Sequence, residues 1–160
     1  YARSISLNDR KYTLWDQWML NLWELEQYEK LLTVSFDAVD LFPNQVNAYL
    51  MHALALSQLK KTDEALGFIA EVKLIGGRNS RYSHAIQLTQ TWIEAGTKEQ
   101  SEIKSSLDQI KLDNAANHLF FELLGDIYKS MGDTESSKKY WEEAINRGAS
   151  SERLFKKIKA

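Results

Sequence analysis

The stretch Leu123–Ile145, LLGDIYKSMGDTESSKKYWEEAI, places a glycine-aspartate pair between two runs that both carry a helical stripe. Phe121, Leu124, Gly125 and Tyr128 recur at three- and four-residue steps, and Ser137, Trp141, Ala144 and Ile145 do so again. Gly132 can adopt the left-handed backbone that stops a helix, and Asp133 or Thr134 can cap the helix that follows, so the pair predicts a helical-hairpin turn. A hairpin of two short amphipathic helices cannot bury its own apolar stripe. A chain built from it must stack further hairpins against the first.

Composition agrees with this constraint. One proline and seven glycines among 160 residues leave little room for a many-turned sheet, which makes the class all-α. With 44% hydrophobic residues the chain can form a core. The formal net charge of -2 offers no basic surplus to phosphate or anionic lipid, so nucleic acid is not an expected partner. The absence of cysteine removes disulfides and thiolate metal sites without choosing a compartment. No apolar run reaches membrane-spanning length, and the opening YARSISLNDR has neither an initiating methionine nor the order of a signal peptide.

Neighbouring hairpins are legible. Asp9, Pro43 and Gly77 each follow a helical segment and stand at equal spacings, which match the period of the tetratricopeptide helix-turn-helix unit, about 34 residues. The sequence resembles the tetratricopeptide repeat family. On the family pattern, Phe121, Leu124, Gly125 and Tyr128, then Ser137, Trp141 and Ala144, form the clearest unit. Trp15, Trp18, Met19 and Leu22 with Leu31, Ser35, Ala38 and Pro43 form another, and Tyr49, His52, Ala53 and Leu56 with Ala65, Ile69, Val72 and Gly77 a third. In each, the same interval separates the small or flexible site of the first helix from that of the second: Met19 to Leu31, Ala53 to Ala65, Gly125 to Ser137. The resemblance implies a right-handed superhelical solenoid of antiparallel helix pairs. Its units are 12–45, 46–79, a longer divergent 80–117, and 118–151.

In the divergent unit Tyr82, Ala85, Ile86 and Thr89 fit a first helix, and Ile103, Leu107 and Ile110 a second. The span from Gly77 to the closing site at Ala115 exceeds the period by about one helical turn, and the extra turn is expected near Trp92–Gln100. Residues 1–9 fit the tail of a preceding second helix, since Tyr1, Ser4 and Asp9 keep the spacing of Trp141, Ala144 and Ala149. Phe155 and Ile158, after a cap at Ser150 or Ser151, begin a capping helix over 152–160, whose Lys156, Lys157 and Lys159 suit its carboxyl end. A slice of a longer solenoid is therefore expected. Trp15, Trp18, Tyr49, Tyr82, Phe121 and Trp141 are expected inward, each aromatic burying about 150 to 250 Å². Ala53 and Gly125 are read as small because paired helices cross closely there.

Chemistry is sparse. His52, His84 and His118 stand in different units with no zinc-site spacing, Gly76-Gly77 lacks the lysine of a phosphate loop, and no nucleophile elbow or acid pair is present. Neither an enzyme, a metal nor a cofactor is expected. What the family resemblance implies is a peptide or partner helix held in the concave groove of the first helices. The groove residues it marks are Asp16, Leu20, Trp23, Leu50, Met51, Leu54, Glu122 and Asp126, with Ser57, Ser83, Gln87, Gln90 and Lys129 at equivalent sites. Their sign is wrong for the carboxylate clamp of tetratricopeptide co-chaperones, and the leucines and tryptophan suit an apolar ligand or a packing face. The reading is a non-catalytic interaction scaffold. The alternative is a substrate-selecting or regulatory segment of a larger enzyme or envelope assembly protein, and self-association through open solenoid ends is a further expectation. The closing phrase YWEEAINRGASSERLFKKIK resembles bacterial tetratricopeptide proteins, some of them envelope lipoproteins. Periplasm, envelope and cytoplasm stay open.

Overall fold

The computed structural model describes residues 2–76, 80–112 and 116–160, and these are all-helical, as tetratricopeptide-like solenoid hairpins require. The chain forms two compact units, Tyr1–Gly76 and Gly77–Ala160. The expected sites at Tyr1, Gly77 and Ala115 lie outside the described residues.

The first unit contains α1 (Ala2–Glu24), α2 (Tyr28–Leu41), α3 (Val46–Gln58) and α4 (Thr62–Gly76). Each helix packs on the next, and α1 also reaches α3. Helix α3 is enclosed on all sides: every residue from Ala48 to Leu56 is buried. Around it lie Met19, Leu22, Leu31, Ala38, Ala65, Ile69 and Val72, all buried. The helix break expected at Asp9 is absent, because α1 runs unbroken from Ala2 to Glu24. No glycine or proline interrupts that run, and nothing in its backbone forces a stop.

The second unit contains α5 (Ser80–Glu94), α6 (Gln100–Gln109), α7 (His118–Ser130), α8 (Thr134–Asn146) and α9 (Ser151–Lys159). Helix α5 packs on α6 and α7, α7 on α8, and α8 on α9. Ile86 and Thr89 of α5, and Ile103 and Leu107 of α6, are buried as expected, whereas Tyr82 is half-buried and Ile110 follows the end of α6. The extra length falls at Trp92–Gln100 as expected, partly as helix and partly as turn. Helix α5 ends at Glu94, where Thr97 N–H and Lys98 N–H donate to the Glu94 carbonyl at 2.9 and 3.1 Å. The extra length lies before α6, where α5 is two residues longer than α3 and α7 and the connection 95–99 is two residues longer than 59–61 and 131–133.

One turn geometry recurs. At the end of α7 the Asp133 N–H donates to the Tyr128 carbonyl at 3.0 Å and the Gly132 N–H to the Lys129 carbonyl at 3.0 Å, with Gly132 at φ 81°. The Asp133 carboxylate then caps α8 by accepting from the Ser136 N–H at 3.0 Å. The same bond pair closes α1, through Gln27 to Leu22 and Glu26 to Trp23, and α3, through Lys61 to Leu56 and Lys60 to Ser57. There the left-handed residues are Glu26 at φ 56° and Lys60 at φ 65°. Lys60 follows Glu26 by one repeat period, and Gly132 follows Lys60 by two periods and about one helical turn more. The repeat register is thus written in the backbone even where no glycine marks it.

Several inward assignments need correction. Trp18 is 42% exposed and Trp15 only half-buried, their rings tilted against each other with centroids 5.4 Å apart, while Trp23 is fully buried. A stripe through Tyr12, Met19, Leu22 and Trp23 fits the helical period, and Trp18 falls outside it. In α9 Ile158 packs against the core, but its inward neighbour one turn earlier is Leu154, fully buried, and not Phe155, which is 47% exposed. Tyr49, Phe121 and Trp141 are buried as expected.

Gly125 sits where α7 and α8 cross. A Cβ built on it would come 2.3 Å from the Trp141 indole, far inside van der Waals contact. Gly125→Ala should therefore destabilise the protein by about 3 kcal/mol in urea denaturation. Gly67→Ala, in α4 with nothing within 4 Å, should stabilise it by about 1 kcal/mol in the same measurement. Lys60→Gly, which relieves a left-handed non-glycine residue, should also raise stability, by about 1 kcal/mol.

Candidate functional site

The eight groove residues separate once placed in the fold. Trp23, Leu50, Met51 and Leu54 are buried in the first unit, at 0%, 2%, 3% and 0% exposure. They pack in the core of that unit. Asp16 and Leu20, one turn apart on α1, are half-buried. Tyr12 donates its hydroxyl to Asp16 Oδ1 at 3.3 Å, and burial raises the Asp16 carboxyl above its ordinary value although this bond lowers it.

Glu122 and Asp126 lie one turn apart on α7 and face cations of their own chain. Arg153 of α9 grips Glu122 with both terminal guanidinium nitrogens, one of them donating to Oε2 at 2.7 Å. Lys157, one turn further along α9, donates to Glu122 Oε2 at 3.0 Å and to Asp126 Oδ1 at 3.0 Å. Asp126 also accepts from the indoles of Trp92 at 3.0 Å and Trp141 at 3.1 Å. The Trp141 N–H further approaches the Glu122 carbonyl, 3.3 Å away. The acids expected to line a ligand groove are instead the seat of α9.

The reason is a match of spacing. Residues four apart on a helix share a face, so the 122/126 acids and the 153/157 bases form complementary i, i+4 pairs. That signal was present in the sequence, although the lysines read only as helix-end cations. Arg153 had not been singled out.

The electrostatics follow from enclosure. Burial pushes the Glu122 carboxyl up, but the hydrogen bonds and charges of Arg153 and Lys157 outweigh it and hold the group below its ordinary value. Asp126 moves the other way, raised by burial and by the adjacent Glu122 charge against the pull of Lys157 and Trp92. Burial works against the Lys157 ammonium, yet the two carboxylates hold it above the usual lysine value. A bidentate guanidinium on a fully buried carboxylate is the arrangement in which loss of one partner costs most.

The three histidines are dispersed. His52 is buried with its Nδ1 2.8 Å from the Ser35 hydroxyl, and His84 Nδ1 accepts from the Lys111 N–H at 3.2 Å. His118 begins α7. Among the described residues no group of three or more His, Cys, Asp or Glu could hold a metal ion, and no helix is long and apolar enough to cross a membrane.

The α7–α8 hairpin, with its glycine crossing and left-handed turn, coincides with the segment that matches a known family. Residues 120–147 match the tetratricopeptide repeat family model. This segment carries a tetratricopeptide repeat unit. Comparison with curated proteins and with solved structures gives no match. The match spans the first and second helices of one hairpin, including Glu122, Gly125, Asp126 and Trp141.

Glu122→Gln should lower stability at neutral pH by about 3 kcal/mol, because Arg153 and Lys157 keep their charges beside a neutral amide. A carboxyl with a depressed folded pKa stabilises the fold fully above its unfolded value and loses that contribution as pH falls through the folded pKa. The gap between wild type and Glu122→Gln should therefore hold from neutrality down to about pH 4.5 and narrow below it. Asp126, being raised, acts with the opposite sign, and less so in the variant, which lacks the Glu122 charge that helps to raise it. Urea denaturation across pH 3 to 7 reads the effect.

Proposed function

We propose that this protein is a non-catalytic interaction module of the tetratricopeptide kind that holds a peptide or the amphipathic helix of a partner. The observation that carries the reading is the tetratricopeptide hairpin at residues 120–147, a unit that generally serves protein binding. The absence of a catalytic constellation in the sequence is compatible with that role.

In the first unit the ligand surface we propose centres on Asp16 and Leu20 of α1. Both keep part of their side chains in solvent, and Trp18 on the same helix is 42% exposed. Trp23, Leu50, Met51 and Leu54 then act beneath this surface as packing that fixes α1, and not as contacts. In the second unit Glu122 and Asp126 serve α9, so a ligand that used them would have to displace Arg153 and Lys157.

The test is capture from the organism that supplies the sequence, with bound proteins identified by mass spectrometry. A Leu20→Lys, Trp18→Glu variant should lose captured proteins by about tenfold or more while its helical melting curve stays that of wild type. Unchanged capture would place any binding surface away from α1.

A further inference from the structure

The first unit carries a second surface feature, built on α2 and α4 with α3 behind them. It is an open pocket of about 380 Å³, within the range of pockets that accept a ligand group. Three rings contribute to its wall: Phe36 from α2, His52 from α3 and Phe68 from α4. His52 and Phe68 meet edge to face with centroids 4.4 Å apart, and Phe36 stands 5.8 Å from His52. The Ser35 hydroxyl fixes the imidazole at 2.8 Å. Phe36 is 60% exposed, which leaves its ring open to a ligand.

Charge decides what could enter. Asp37 and Glu64 lie on the pocket and Lys61 joins them, two carboxylates against one ammonium. Among the described residues neither Asp37 nor Glu64 takes part in an ion pair. Burial lowers the basicity of His52, which therefore stands neutral at pH 7 and does not repel a cation. The faces of aromatic rings attract cations, and a planar guanidinium can stack on a ring while its edge donates to carboxylates. An apolar side chain would fill the volume but leave both acids unanswered. An anion would meet net negative charge, with only the exposed, flexible Lys61 in its favour.

We propose that this pocket binds an arginine side chain of a partner peptide, its guanidinium laid against Phe36 and Phe68 and its charge met by Asp37 and Glu64. The site is separate from the α1 surface and stands independently of it.

The experiment is an NMR titration of the full chain with three probes: N-acetyl-arginine amide, its uncharged isostere N-acetyl-citrulline amide, and N-acetyl-glutamate amide. The arginine probe should move the His52, Phe36 and Phe68 ring signals in a saturable way and bind about tenfold more tightly than the citrulline probe. The glutamate probe should leave those signals in place. Phe36→Ala and Glu64→Gln, both at exposed positions, should each weaken arginine binding by about fivefold without moving the melting curve. Equal binding of arginine and citrulline would overturn the proposal in favour of a simple apolar pocket. Preference for glutamate, the absence of any shift with arginine, or full retention of binding by both variants would each overturn it as well.

Discussion

The close crossing at Gly125 is the contact on which the second unit depends. Because that position has no Cβ, the Trp141 indole lies against the backbone of α7, where a methyl group would be 2.3 Å from its ring. There its N–H reaches both the Glu122 carbonyl and the Asp126 carboxylate. The ring thus packs α8 on α7 and orients an acid at the same time. Asp126 and Glu122 then present a charged seat that Arg153 and Lys157 fill, and α9 is fastened to α7 through ion pairs while Leu154 enters the core. Each step is possible only because the one before it places atoms within hydrogen-bonding range.

The first unit solves the same burial problem without a charged seat. Helix α3 has neighbours on three sides, α1, α2 and α4, so nearly all of its faces are interior and its sequence is apolar almost throughout. A buried polar pair, Ser35 with His52, links α2 to α3 in the middle of this apolar surround. Burying the imidazole is tolerable because it is neutral and hydrogen-bonded. The same enclosure explains why Leu50, Met51 and Leu54 are structural: a helix surrounded on this scale has little left to offer a ligand.

Much of the helical plan was legible, and the reason is local. Turn residues with obligatory backbone geometry and a three-to-four-residue apolar step are read directly from neighbours in the chain, so the α7–α8 hairpin, its Gly132 turn and its Asp133 cap were all visible. Glu26 and Lys60 take the same left-handed geometry without the glycine that advertises it, and their turns could be found only through the repeat period. Facing was less legible. Trp18 and Trp23 are both large and apolar and differ by little more than one turn, and only the packing of neighbouring helices says that Trp23 is the core residue. The one-position error in α9 has the same origin, since Leu154 and Phe155 are equally apolar.

The sequence by itself determined the class, the hairpin unit, its period and the residues that must be small. These follow from backbone sterics and from periodicity, which act over a few residues at a time. Tertiary structure decided which side chains remain free to bind. Glu122 and Asp126 read as groove acids until α9 folds over them, and Phe36 and His52 read as ordinary helix residues until Phe68 of α4 joins them at one pocket. Availability is a property of what lies opposite a residue, and the partner sits on another helix, as Arg153 does for Glu122 and Phe68 for His52. No local pattern carries that information.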